Sequence, residues 1–279
     1  VVIGGGTAGL EAACTAAEVG CNTFLLEKGN ELGGLASLIS KIPAKNRLAD
    51  FPHYLMHRAE QLDNLYIFKN TEGTPENIRK FHPNIIVSST GSAPLLPPIA
   101  GLKDRIDNED CNIYSILGMI SHINDFPKDL EGKKVVVVGG GAVGLDVVEF
   151  FADRNADISI VEMMDQIGRD LDPVSKNDTK TMMKKHNVHQ LTKTALLEVK
   201  DSSFLVKGEG EPYELPFEYG FVCLGMRAQG QLYQSLTEEF SSEDVEIMNI
   251  GDSQRARRII DGTQEGRNIL TVLEQKGYL

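Results

Sequence analysis

The sequence contains one passage twice, and this internal repeat restricts the possible folds more than any other feature. Val1–Glu27 reads VVIGGGTAGLEAACTAAEVGCNTFLLE, and Val136–Glu162 reads VVVGGGAVGLDVVEFFADRNADISIVE. In each copy an apolar run enters Gly-x-Gly-x-x-Gly, and an Ala/Val/Leu-rich stretch of helical character follows. After a short turn, a second apolar strand closes on a Glu, 18 residues past the third glycine in both copies. One such glycine pattern alone is weak, since a chain with 27 glycines in 279 residues meets it by chance about once in four cases. Two copies with matching strand, helix and acid specify two βαβ units of the dinucleotide-binding kind.

The chemistry explains the residue types. Gly4 and Gly139 make the tight turn, while Gly6 and Gly141 lack a Cβ, so that a pyrophosphate can approach the backbone. Gly9 and Gly144 let the helix pack closely on the strand. The amides of Thr7 and Ala8, and their counterparts Ala142 and Val143, point at phosphate from the positive end of a helix. Glu27 and Glu162 are placed to accept hydrogen bonds from ribose hydroxyls. Glu162 selects NAD over NADP, because a 2′-phosphate would meet its charge and the residues after it are Met163, Met164 and Asp165, with no arginine.

Between the repeats, Asp50–Leu62 has helical periodicity, Leu65–Asn70 reads as a strand, and Thr74–Phe81 opens with the helix signal Thr-Pro-Glu. Asn84–Thr90 is a buried strand, and Pro94, Pro97 and Pro98 then form an extended crossover. After the second repeat, Lys176–His186 looks helical. Glu198–Val206 and Tyr213–Phe217 read as a hairpin, and Tyr219–Leu224 as a buried strand ending at Gly225. Val245–Ile250 is a last strand that stops at Gly251–Asp252, before a helical stretch from about Arg257. The expected fold is α/β with two Rossmann-like dinucleotide-binding domains, the second inserted into the first. The boundaries are 1–102 and 226–279 for the discontinuous outer domain and 103–225 for the inner one.

Composition excludes several classes. A net charge of −12 repels phosphate backbones and anionic lipid, and no long Lys/Arg run offsets it, so neither nucleic acid nor membrane is an expected partner. Cys14, Cys21, Cys111 and Cys223 never fall in C-x-x-C spacing. The chain by itself therefore holds no dithiol centre or iron–sulfur cluster, and its thiols fit a reducing, cytoplasmic setting. His53 and His57 lie four apart without an intervening acid, and His186 and His189 are similar, so no metal site is expected. Arg255, Arg257 and Arg258 face either a ligand or solvent. Val1 is not Met, and the second copy of the first strand carries Lys133, Lys134 and four valines where the first has Val1–Ile3. The sequence is therefore expected to be a piece of a longer chain.

The stretches VVIGGGTAGLEAA, LLEKGNELGG, IPAKNRLADF, NIIVSSTGSAPLLPPIAG, KKVVVVGGGAVGLDVVEFF, IVEMMDQIGRDLDP, FVCLGMRA and NIGDSQRARRIIDGTQEG together resemble a known family. They are similar to the C-terminal flavin and NADH domains of the 2,4-dienoyl-CoA reductase and clostridial 2-enoate reductase family, the NADH:flavin oxidoreductases related to old yellow enzyme. The resemblance implies FAD in the outer domain and NAD(H) in the inner one. It implies FAD contacts from Glu27, Lys28, Gly34, Leu35 and Arg47, from the backbone near Gly73 beside the adenine, and from Thr90–Gly91. Gly225 joins the cofactor-binding residues. Gly251–Asp252 would meet the ribityl hydroxyls of the flavin, with backbone amides near Arg258 and Ile259 on its O2 side. Two departures are visible: Ser89 stands before Thr90-Gly91 where the family usually has Ala, and Ala36 follows Leu35 where a polar residue is usual.

That family also carries an upstream barrel domain with FMN and a cysteine-ligated 4Fe-4S cluster, and neither sequence is present here. The leading expectation is hydride transfer from NADH to FAD and onward to that barrel, which would reduce an enoate or enoyl-type substrate. No side-chain acid or base is obligatory for the step, so no catalytic residue is named. Two alternatives stay open. One is a free-standing NADH oxidase or ferredoxin-type reductase, which usually brings a dimerisation domain where only 27 residues follow Asp252. The other is a non-catalytic nucleotide-binding module.

Overall fold

The computed structural model describes residues 1–279. The chain begins with β1 (Val2–Ile3), α1 (Thr7–Glu18), β2 (Thr23–Leu26), α2 (Gly34–Ile39), α3 (Asp50–Glu60), β3 (Leu65–Phe68), α4 (Pro75–Arg79) and β4 (Ile85–Ser88). It leaves through β5 (Ser92–Pro94) for α5 (Leu102–Arg105), β6 (Ile113–Tyr114), α6 (Ile116–Ser121), β7 (Lys134–Val138), α7 (Ala142–Ala152), β8 (Asp157–Val161), α8 (Pro173–Lys185) and β9 (His189–Leu191). Four more strands follow: β10 (Ala195–Val199), β11 (Ser203–Lys207), β12 (Tyr213–Pro216) and β13 (Tyr219–Val222). Beyond β14 (Met226–Ala228) come α9 (Gln231–Glu239), β15 (Glu246–Asn249), α10 (Ile259–Arg267) and α11 (Ile269–Gln275). Two units result: Val1–Lys41, Lys45–Ala93 and Arg227–Leu279 form one, and Ile42–Ala44 with Pro94–Met226 form the other. The second is thus inserted into the first.

Unit 1 is built on a five-stranded sheet of order β15-β4-β1-β2-β3 with every neighbouring pair parallel. Its strands alternate in the manner of a sheet buried on both faces. Val2, Leu25 and Val87 join Leu10, Ala13 and Leu55 from α1 and α3 on one side. Ile3, Leu26 and Ile86 meet Ile78, Leu236 and Phe240 from α4 and α9 on the other.

Helices α1 and α10 approach closely because glycine lines the contact. A Cβ on Gly266 would sit 2.6 Å from the Ala8 carbonyl oxygen and 3.1 Å from the Ala12 nitrogen. Gly266→Ala should therefore cost about 1–3 kcal/mol through overpacking, read as a lowered urea midpoint at unchanged slope. Glu11 of α1 is buried because Arg58 reaches it at 2.9 Å and Arg267 at 3.4 Å. Arg58 also pairs with Glu18 at 2.5 Å, and that bond is the main cause holding its guanidinium pKa above the usual arginine value.

Unit 2 repeats the plan, with a parallel sheet of order β6-β13-β7-β8-β9. An antiparallel sheet of order β10-β11-β12 contributes Leu196, Phe204 and Val206, which pack against Val136, Val138 and Val161. Aromatic rings occupy the α7 side, where Phe151 lies 4.8 Å from Phe221 and 5.2 Å from Phe126.

Several local expectations need correction. Glu198–Val206 is not one arm of a hairpin: the chain turns at Asp201–Ser202, where Lys200 donates to the Ser203 carbonyl at 2.9 Å, so three strands form where two were read. Helix α8 starts at Pro173, earlier than Lys176, because Asp172 caps the amides of Val174 and Ser175 and proline suits the first turn. Helices α6 and α9 were not read at all, being short segments between stronger signals. No helix is long and apolar enough to cross a membrane.

Candidate dinucleotide sites

In each parallel sheet the chain order reverses between two central strands, β1 and β4 in unit 1 and β7 and β13 in unit 2. Ligands of such sheets bind in the crevice beyond the carboxyl ends of the strands at that switch point. Both glycine motifs lie there.

Their glycines divide by what an added Cβ would meet. Gly4 has φ +102° and Gly139 has φ +108°, and a Cβ on either would run into the carbonyl of the neighbouring strand end, Ser89 or Cys223. A Cβ on Gly9 or Gly144 would strike the carbonyl oxygen of Gly4 or Gly139 in the same way. The middle glycines differ. Around Gly6 the nearest atom to an added Cβ is Gly34 Cα at 4.0 Å, and around Gly141 there is nothing within 4 Å.

Gly6 and Gly141 are also the N-caps of α1 and α7, and neither helix has a side-chain cap. The amides of Thr7 and Ala8, and of Ala142 and Val143, belong to first turns that have no intrahelical partner. An open cradle at an uncapped helix start fits a pyrophosphate.

The two closing acids do more than the sequence suggested. Glu27 accepts the Gly5 amide at 2.7 Å on one carboxylate oxygen and the Gly29 amide at 2.6 Å on the other. Glu162 repeats this with Gly140 at 2.6 Å and Met164 at 2.7 Å. Each carboxylate therefore ties its glycine loop to the turn after its own strand. A second lone pair on each oxygen is left to accept a ribose hydroxyl.

The symmetry between the units runs further. Gly33 donates to the Gly5 carbonyl at 2.7 Å, and Gly168 donates to the Gly140 carbonyl at 2.7 Å. Ser89-Thr90-Gly91 and Cys223-Leu224-Gly225 occupy matching strand ends, with Gly91 at φ +75° and Gly225 at φ +104°, both beside open space. Ser89, one of the two departures from the family pattern, is buried, and its hydroxyl donates to the Ile3 carbonyl at 2.8 Å and to that of Gly4 at 3.0 Å.

The remaining sequence-read positions in unit 1 are placed as follows. Gly34 has φ +57°, and an added Cβ would lie 2.9 Å from Gly6 Cα, so it borders the first cradle with half-buried Leu35 next to it. Gly73 packs against Ile3 of β1. Thr90 Oγ1 donates to the Gln229 carbonyl at 2.7 Å. Lys28 and Arg47 are exposed, and Arg47 pairs with Asp50 at 3.4 Å.

Asp252 is half-buried just beyond β15, accepting Ser92 Oγ at 2.9 Å and the Arg257 amide at 3.1 Å. The Arg258 amide is occupied by Asp261 at 3.1 Å, which leaves Ile259 to begin the free donors of α10. The basic cluster is mostly paired, Arg257 with Glu265 and Arg258 with Asp261.

All four cysteines are free. Burial pushes the Cys14 thiol up to about 11 and that of Cys223 up to about 12, so neither supplies a thiolate nucleophile near neutral pH.

Comparison with known proteins bears on these crevices. The sequence profile of pyridine nucleotide-disulphide oxidoreductases matches residues 1–247. An NADH oxidase of Thermoanaerobacter brockii is 28% identical over 95% of this chain and 39% of its own length. A metal reductase of Desulforamulus reducens is 27% identical over 96% of this chain and 43% of its own. Among solved structures, 2-naphthoyl-CoA reductase in complex with 2-naphthoyl-CoA superposes with a TM-score of 0.80 at 23% identity, covering 96% of this chain and 39% of that one. The chain thus spans about two fifths of the length of these three proteins.

Proposed function

The chain belongs to the pyridine nucleotide-disulphide oxidoreductase family, and on that premise we propose that unit 1 holds FAD, unit 2 holds NADH, and a hydride passes from NADH to the flavin. Cofactors of this family are FAD and NAD(H), and the relatives are NADH oxidases and reductases. The observation that carries the reading is the paired open cradle, Gly6 before α1 and Gly141 before α7, each with a carboxylate hydrogen-bonded to its glycine loop. When bound, a flavin accepts a hydride at N5 and releases electrons singly or in pairs.

The chain's own residues bind and orient. The first turns of α1 and α7 meet the pyrophosphates, Glu27 and Glu162 the adenosine riboses, and Asp252 the ribityl chain. Thr90–Gly91 lie against FAD, and Gly225 belongs to the NADH site. With no dithiol in the chain, electrons leave the flavin for another centre. We place that centre in the remaining three fifths of a longer protein, in a barrel with FMN and an iron–sulfur cluster that reduces an enoate or enoyl-type substrate. Four free thiols favour the cytoplasm.

Anaerobic addition of NADH to the FAD-loaded chain should bleach the flavin absorption band; an unbleached band at saturating NADH ends this reading. The Glu162 carboxylate supplies selectivity. Glu162→Gln removes the charge that a 2′-phosphate would meet and should move the NADH-to-NADPH preference toward NADPH by about tenfold, or ~1.4 kcal/mol. The ratio of kcat/KM for the two reductants checks this.

A further inference from the structure

The turn after β15 is held by a carboxylate that belongs to neither glycine motif. Glu265, in the last turn of α10, accepts the Gly251 amide at 2.7 Å on one oxygen. Its other oxygen takes the guanidinium of Arg257. The backbone amide of Arg257 then bonds one oxygen of Asp252 at 3.1 Å, and Ser92 Oγ bonds the other at 2.9 Å. Gly251 has φ +67°, and an added Cβ would lie 2.8 Å from the Ala8 side chain of α1. The circuit Ser92–Asp252–Arg257–Glu265–Gly251 is therefore closed and lies within unit 1. Its glycine cannot relax by backbone rotation without moving against α1.

We propose that Glu265 is a positioning residue for the flavin, holding the Gly251–Arg258 segment in place and cancelling the charge of Arg257, and so setting how readily the flavin is reduced. This rests on the assignment of FAD to unit 1. Reduction by NADH adds two electrons to the flavin and raises its negative charge, so a net positive field from this segment favours the reduced form and a net negative field the oxidised form. The pair is about one quarter exposed, at 30% for Arg257 and 23% for Glu265, so water screens it only in part. The hydrogen bond that Arg257 donates to Glu265 is the leading cause raising its guanidinium pKa.

The test is the ratio of reduced to oxidised flavin at equilibrium with a redox dye, measured on the FAD-loaded native chain, Glu265→Gln, Arg257→Gln and the double variant. Glu265→Gln keeps an acceptor for Gly251 and leaves Arg257 uncancelled. It should raise the ratio about tenfold, which for a two-electron couple is about 30 mV. Arg257→Gln should lower the ratio by a similar factor, and the double variant should return near the native value. Single shifts of the same sign, or no shift, would overturn the inference while leaving the FAD assignment intact. A native chain that binds no FAD would overturn that assignment, and the inference with it.

Discussion

A chain carrying Gly6→Val should fold as the native one does and bind FAD at least about 100-fold more weakly, a loss of ~2.7 kcal/mol. The prediction separates binding from stability because the geometry does. Gly6 sits at φ −72° and ψ −179°, an extended conformation that a β-branched residue adopts readily. Beyond its two chain neighbours, the nearest atom to an added Cβ is Gly34 Cα at 4.0 Å. The added side chain therefore starts in open space, which is the space a pyrophosphate would enter in front of α1. Gly141→Val, at φ −79° and ψ −178°, should do the same to NADH while leaving FAD affinity unchanged. Each free energy of unfolding, from urea titration, should stay within about 0.5 kcal/mol of native. FAD retained at native affinity by Gly6→Val would mean that its phosphates lie elsewhere.

The first glycine of each motif should behave in the opposite way. Gly4→Ala places a residue with a Cβ at φ +102°, a conformation costing L-residues about 1–2 kcal/mol. It also drives that Cβ into the Ser89 carbonyl, adding roughly 1–3 kcal/mol of overpacking. Neither partner can yield easily, since Ser89 ends a central strand and Gly4 itself donates to the Leu26 carbonyl at 2.8 Å. A stability loss of about 2–5 kcal/mol is expected, seen as an early urea transition. Gly139→Ala should show a comparable loss, against Cys223. An unchanged transition in both variants would contradict the packing described for the two crevices.

The two crevices were legible in the sequence because their chemistry is concentrated in short spacings. A glycine at a turn, a glycine facing a phosphate and an acid 18 residues on are local demands that each copy of the repeat states separately. The near-continuous apolar runs of β1, β2 and β4 likewise announce a sheet covered on both faces. What escaped notice depends on tertiary neighbours. That Glu27 and Glu162 clamp their own glycine loops follows only once strand end and loop are side by side. Ser89 and Cys223 match as the floors of the two turns, yet one is polar and the other is not, so no pattern linked them. Glu265 lies 14 residues from Gly251, and only the return of α10 along α1 brings its carboxylate to that amide. The turn that separates β10 from β11 lies in the polar run Lys200–Ser203, a signal shorter than the apolar residues on either side of it.

The central claim is that each glycine motif receives one adenine dinucleotide, and the most direct test is a count. Equilibrium dialysis of the purified chain against FAD and NAD+, which cannot reduce the flavin, should give one bound FAD and one bound NAD+ per chain. Two molecules of one cofactor with none of the other, or saturation at a single dinucleotide of either kind, would contradict it.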